Sequence, residues 1–182
     1  MSAELGSVLL RHARGAIGER FGRRENDLPA HPALADPGAT FVTLMRNGEL
    51  RGCIGSLEAH RPLGQDVREN ALAAAFRDTR FGPLRAEEFA DTRVEVSLLT
   101  APEFLTPVSE AQALALLRPG VDGVIFMHHC YRATFLPQVW DSLPDPRQFF
   151  AQLKRKAGLP ADFWSKDVQL ARYQVQKWKE AP

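Results

Sequence analysis

Cys53 stands two residues after Arg51 and between two glycines, in the stretch Leu50-Arg51-Gly52-Cys53-Ile54-Gly55. A thiol reacts as its thiolate, and a neighbouring guanidinium favours that form. A small buried thiol packed as a hydrophobe fits the same residues, so the pattern leaves both readings open. A second stretch, Asp78-Thr79-Arg80-Phe81, sets a carboxylate and a guanidinium two residues apart beside an aromatic ring. That set can grip an anion or stack on a base, or it can bind backbone groups of its own loop. A third, His128-His129-Cys130, offers two imidazoles and a thiol, with Cys53 as a conceivable fourth metal ligand. Consecutive strand residues point to opposite faces, and the spacing matches no usual zinc pattern, so no metal is assigned there. Gln138 and Trp140 add a bidentate amide and a large amphipathic ring.

The elements that must position these groups follow from periodicity. Asn47-Gly48 suits a tight type I′ turn. It predicts a hairpin of Thr40 to Arg46 with Leu50 to Gly55, placing Arg51, Cys53 and Gly55 on one face and Leu50, Gly52 and Ile54 on the other. Leu5, Leu9, Ala13, Ile17 and Phe21 step by four, predicting a helix over 5–21. A second helix is expected over 65–77, its alanines implying close packing on the sheet and Asp66, Arg68, Glu69 and Asn70 facing solvent. Val94, Val96 and Leu98 alternate with Arg93, Glu95 and Ser97, a half-buried strand whose polar face is a second candidate site floor. Further on, the pattern predicts a helix from Val108 to Leu117, strands at 121–127 and 132–137, and a helix from Pro146 to Lys156. The basic end of that last helix suits its macrodipole without a ligand. One final strand is expected over 168–175. Paired strands between helices argue for an α+β fold.

Composition narrows the function classes. A chain of 182 residues, 45% hydrophobic and 25% charged, buries a real core without disulfide staples. Its formal charge of +1 gives no global electrostatic case for nucleic acid or membrane, though a local basic groove is compatible. Two cysteines, the absence of a leader-like start, and a longest apolar run of Ala71 to Phe76 predict a cytoplasmic, reducing location and no membrane span. Phosphate-loop, nucleophile-elbow, zinc-protease and iron–sulfur patterns are missing, which points to acid–base or thiol chemistry or to a cofactor supplied by a partner. No cofactor is specified.

Taken together in their order, Leu50-Arg51-Gly52-Cys53-Ile54-Gly55, Asp78-Thr79-Arg80-Phe81, Glu95-Val96-Ser97, Gly120-Val121-Asp122-Gly123 and Ala133 to Trp140 closely resemble the AMMECR-one family. The resemblance covers about Leu5 to Trp178. It implies one two-lobed α+β domain over 5–178, with a larger and a smaller lobe, mixed or antiparallel sheets, and short termini at 1–4 and 179–182. The motif positions it carries over are Arg51, Gly52, Cys53, Asp78, Arg80, Phe81, Glu95, Ser97, Asp122, Gln138 and Trp140. It implies work alongside Memo-type and radical SAM proteins on an RNA or protein substrate, the Cys53 motif facing a cleft. As an enzyme component, Cys53 would be the nucleophile or acid–base group, Arg51 or Arg80 would favour its thiolate, and Glu95 or Asp78 would move the proton. As a binding module, Gly52 and Gly55 would admit a ligand, with Arg80, Phe81, Ser97, Asp122, Gln138 and Trp140 around it. In a third reading the motifs only hold the fold together, and Cys53 is core. The His128-His129-Cys130 tip departs from the family pattern.

Overall fold

The computed structural model describes residues 2–181. The chain folds as two compact units: one runs to Leu99 and resumes at Gln176, the other is Thr100–Val175.

The first unit is a sheet with two helices on one face. Its helices are α1 (Ser2–Arg20), α2 (Leu63–Phe76) and the short α3 (Ala86–Phe89). Its strands are β1 (Pro37–Arg46), β2 (Glu49–Gly55), the two-residue β3 (Arg61–Pro62), β4 (Thr92–Leu99) and β9 (Val175–Lys179). The order is β2-β1-β4-β9, with β3 pairing the start of β1. Asn47 at φ 52 and Gly48 at φ 81 make the expected left-handed turn between β1 and β2. Val42, Leu44, Val94 and Val96 point to the helices and are fully buried against Leu9, Ala13, Ile17, Val67 and Ala71.

The alanines of α2 do bring it close. A Cβ placed on Gly52 would lie 2.2 Å from the Ala74 carbonyl oxygen, so only glycine lets β2 lie under that helix. Between Met45–Leu50 and Leu44–Gly52 the register slips, leaving Arg51 as the extra residue of a β-bulge.

The polar side of α2 differs from expectation. Asp66 and Asn70 are buried, because the start of β1 supplies donors that water would otherwise provide. Asp66 accepts from the Thr40 N–H (2.8 Å), Thr40 Oγ1 (2.7 Å), Ser56 Oγ (2.7 Å) and Arg61 Nε (2.9 Å). Asn70 donates to Thr40 O at 3.0 Å and to Asp66 at 2.9 Å. The network ties α2 to the strand ends beyond Cys53.

The second unit is a four-stranded sheet in the order β5-β8-β6-β7 with two helices. Its elements are β5 (Glu103–Leu105), α4 (Glu110–Leu116), β6 (Gly123–His128), β7 (Tyr131–Phe135), α5 (Pro146–Lys156) and β8 (Gln169–Tyr173). Phe126, Phe149, Phe150, Leu153 and Leu170 fill its core. Lys154, expected at the solvated basic end of α5, is fully buried. Its ammonium donates to Glu110 at 2.7 Å and to Phe163 O at 3.0 Å, which satisfies the charge inside the unit.

The single strand expected over 168–175 is two strands, β8 and β9, serving different sheets. The break falls at Gln174, whose N–H turns to Thr100 Oγ1 at 2.9 Å. Period-two alternation continues through such a break, so it does not announce itself in the sequence.

Gly52→Ala is expected to cost roughly 2 kcal/mol or more, because helix backbone cannot yield as a side chain can. Gly82→Ala, where a Cβ meets open space, should stay within about 0.5 kcal/mol of the parent. Chemical denaturation of both variants checks the difference.

Candidate functional site

Cys53 lies on the edge strand β2. Its register partner Thr43 on β1 is also the partner of Glu95 on β4, so thiol, hydroxyl and carboxylate form one row across three strands. The row lies on the face turned away from α1 and α2, because the alternate residues Val42, Leu44, Val94 and Val96 occupy the helix side. Thr43 Oγ1 donates to Cys53 Sγ at 3.3 Å. Glu95 accepts from Lys177 Nζ at 2.6 Å and Lys179 Nζ at 3.1 Å, both on β9. Burial of Glu95 works against its charge, but the two ammonium groups outweigh it and hold the carboxyl below its ordinary value. Glu95 is therefore ionised at neutral pH, and with one lysine on each oxygen it holds two cations in the row. One row along, Phe41 stands between Gly55 and Ser97.

An edge strand leaves backbone groups without a ladder partner. At Cys53 both are taken. The N–H donates to Asp78 Oδ2 at 2.9 Å, and the carbonyl accepts from Arg80 Nη2 at 3.2 Å. Asp78 and Arg80 also bind each other, at 3.0 Å through Nε and 2.7 Å through Nη2. Hydrogen bonding by Arg80 holds the Asp78 carboxyl far below the usual carboxylate range. With its oxygens committed to these donors, Asp78 fixes backbone and carries no proton for transfer near neutral pH. Arg80 and Arg51 both lie over the Phe81 ring, at 5.5 and 6.0 Å from its centroid.

Arg51 is held elsewhere than at the thiol. It donates to both oxygens of Glu88, at 3.2 and 3.0 Å, and Arg46 and the Arg85 N–H add further bonds at 3.1 and 2.9 Å. Arg51 hydrogen bonding pulls the Glu88 pKa down to about 2. The guanidinium expected to favour the Cys53 thiolate thus serves as counter-ion to a buried carboxylate. Gly52 and Gly55, expected to admit a ligand, are both filled internally. The α2 backbone occupies the space over Gly52, and the Phe41 ring lies 2.2 Å from a Cβ built on Gly55.

A family model described as AMMECR1 matches residues 10–178. The chain belongs to the AMMECR1 family. A protein of Methanothermobacter thermautotrophicus is 39% identical, with 99% of this chain and 96% of the relative covered. Protein MJ0810 of Methanocaldococcus jannaschii is 34% identical, with 99% and 92% covered. The crystal structure of an uncharacterized protein, PH0010 from Pyrococcus horikoshii, is similar at a TM-score of 0.78 and 33% identity, covering 97% of this chain and 92% of that one. The AMMECR1 fold is accordingly α+β.

Three of the motif residues lie in the second unit, and two serve its interior. Asp122 is fully buried and accepts from Arg118 Nη2 at 2.7 Å and the Arg118 N–H at 2.9 Å. Trp140 donates from Nε1 to the Asp122 carbonyl at 2.7 Å and stacks on Phe149 at 3.6 Å, only 3% exposed. Neither offers a face to a ligand. Gln138 is exposed on the same 3-10 turn, Pro137–Asp141.

Between β6 and β7, His129 takes φ 51 at the hairpin tip, and His128 packs on Phe163 at 4.8 Å. Among the described residues no three His, Cys, Asp or Glu side chains are placed to hold a metal ion, and no helix is long and apolar enough to cross a membrane. Sequence reasoning missed Thr43, Glu88, Lys177 and Lys179. Only the alternation of the two lysines after Gln176 gave a signal.

Because Glu88 is depressed in the folded state, its contribution to stability is complete above its ordinary pKa of about 4.5. That contribution is lost as pH falls toward about 2. Glu88→Gln removes this titration. Urea unfolding across that window should show the gap between parent and variant narrowing steadily as pH falls. A gap independent of pH would contradict the assignment.

Proposed function

We propose that this AMMECR1-family chain is a component of a system that modifies a nucleic acid or a protein, with Cys53 as its reactive group. The observation that carries the reading is the division of labour at that residue. Asp78 and Arg80 are committed to its peptide groups, while Sγ keeps a single hydroxyl donor, Thr43, on the sheet face away from the helices. The charged pair satisfies edge-strand backbone whatever the side chain, and for a nucleophile it also supplies orientation. Thr43 Oγ1 donates to that sulfur, a bond that helps to orient it. Glu95 anchors Lys177 and Lys179 on the same row, and their positive charge can stabilise charge developing on an electrophile. Memo-type and radical SAM proteins are the partners this reading pairs with it. Two free cysteines, Cys53 and Cys130, suit a reducing cytoplasmic setting.

The non-catalytic alternative needs an opening over Gly52 and Gly55. Helix backbone and the Phe41 ring fill both positions, which favours the thiol reading.

Alkylation by iodoacetamide at neutral pH, in a Cys130→Ser background, tests the proposal. The folded protein is expected to label at Cys53 faster than the chain does in denaturant. Thr43→Val should slow that labelling. Labelling only on unfolding would remove Cys53 as a nucleophile.

A further inference from the structure

Away from Cys53, the first unit gathers five arginines beside α1, more than its own contacts use. The buried stripe of α1 is Leu9, Ala13, Ala16 and Ile17, so its guanidinium groups are free to lie elsewhere. Two recesses open beside that helix, of about 430 and 210 Å3, sharing Arg14 and Glu25 in their walls. Arg11, Arg14, Arg23, Arg24 and Arg93 line them, against the carboxylates of Glu25 and Glu180. This is a local excess of positive charge in a chain whose formal charge is only +1.

Both carboxylates are already engaged. Glu25 binds Arg11. Glu180 binds Arg14, with Nη2 at 2.6 Å, and accepts from the Val94 N–H at 2.8 Å. Arg14 reaches the Thr92 carbonyl as well, at 2.5 Å, and lies 4.8 Å from the Phe89 ring centroid. Arg11 and Arg14 are therefore fixed wall. Arg23 lies over Phe89 too, at 5.5 Å. The side chains of Arg24 and Arg93 are exposed and have no hydrogen bond or ion pair among the described residues. Gathering five guanidinium groups costs mutual repulsion, and two of them return nothing to the folded chain in bonds.

We infer that these two recesses, which share Arg14 and Glu25 in their walls, together bind a ligand carrying two or more phosphoryl groups. Guanidinium forks match phosphate oxygens two at a time, and the bonded Arg14 shared by both recesses, with unbonded Arg93 in one and Arg24 in the other, offers a preformed seat and adaptable arms. The larger recess is of the size that holds small ligands. Phe89 is buried and flanked by Arg14, Arg23 and Phe21, so it has no face for a base. Recognition is thus of phosphate charge, from a free polyphosphate or from neighbouring phosphodiesters of a strand. The inference stands apart from the chemistry proposed for Cys53.

Calorimetric titration with tripolyphosphate, and anisotropy with labelled oligouridylates of increasing length, tests it at about 0.15 M salt. The parent protein is expected to bind at least one probe. Arg24→Ala and Arg93→Ala should each weaken that binding about tenfold, the scale of a charge-assisted hydrogen bond. Both side chains are exposed and unbonded, so neither change threatens the fold. Arg155→Ala, an exposed arginine on α5, should leave binding unchanged. Affinity that grows with strand length assigns the phosphates to nucleic acid; tripolyphosphate binding alone assigns them to a small molecule. Either outcome supports the site. It is overturned if neither probe binds the parent, if Arg24→Ala and Arg93→Ala bind as the parent does, or if Arg155→Ala weakens binding equally.

Discussion

The Asp78 carboxylate, set against the edge of β2, is the contact on which the local structure around Cys53 depends. An edge strand has donors and acceptors with nothing to pair them, and one carboxylate with its arginine serves both backbone groups of a single residue. Because Arg80 binds Asp78 as well, the pair behaves as a strand-like clip made of two side chains. It pins the loop after α2 to the edge and fixes the direction in which the Cys53 side chain leaves the backbone. Glu88 does a related task one bulge away, anchoring Arg51 and Arg46 to the start of α3.

Glycine makes the same segment possible from the other side. Gly52 allows β2 to lie beneath the α2 backbone, and the alanines of α2 remove the side chains that would hold helix and sheet apart. Around Val42 and Leu44 the helix side of the sheet is apolar and closely packed, and the polar row around Cys53 lies on the opposite side. There the row from Cys53 through Thr43 to Glu95 and its lysines alternates donors and acceptors. The buried Asp66 network holds α2 to the far end of β1, so strand and helix are tied beyond the thiol as well as beside it.

Much of the frame was legible in the sequence. The i, i+4 apolar steps of α1, the Asn47-Gly48 turn and the alternation in β4 each correspond to an observed element. The short strand at Glu103–Leu105 and the break at Gln174 were not legible, since three residues carry no periodicity and alternation survives a change of sheet. At the candidate site, Cys53, Asp78, Arg80 and Glu95 could be named from residue type alone. Their partners could not. Asp66 and Lys154 read as solvated because charge ordinarily is, and only tertiary neighbours such as Thr40 and Glu110 make their burial affordable. Arg51 looked like the natural companion of the thiol until the fold brought Glu88 to it from 37 positions away. Trp140 and Asp122 belong to a motif for reasons of packing, which residue type alone does not separate from recognition.

Hydrogen exchange at the Cys53 amide tests the clip most directly. In water an unpaired edge amide exchanges quickly, whereas one bonded to a buried carboxylate opens only when that bond breaks. Slow exchange in the parent protein, becoming fast in Asp78→Ala while the β1–β4 ladder amides stay protected, is the expected result. Fast exchange in the parent, or protection that survives loss of the Asp78 carboxylate, would contradict the assignment of Asp78 as the group that fixes Cys53.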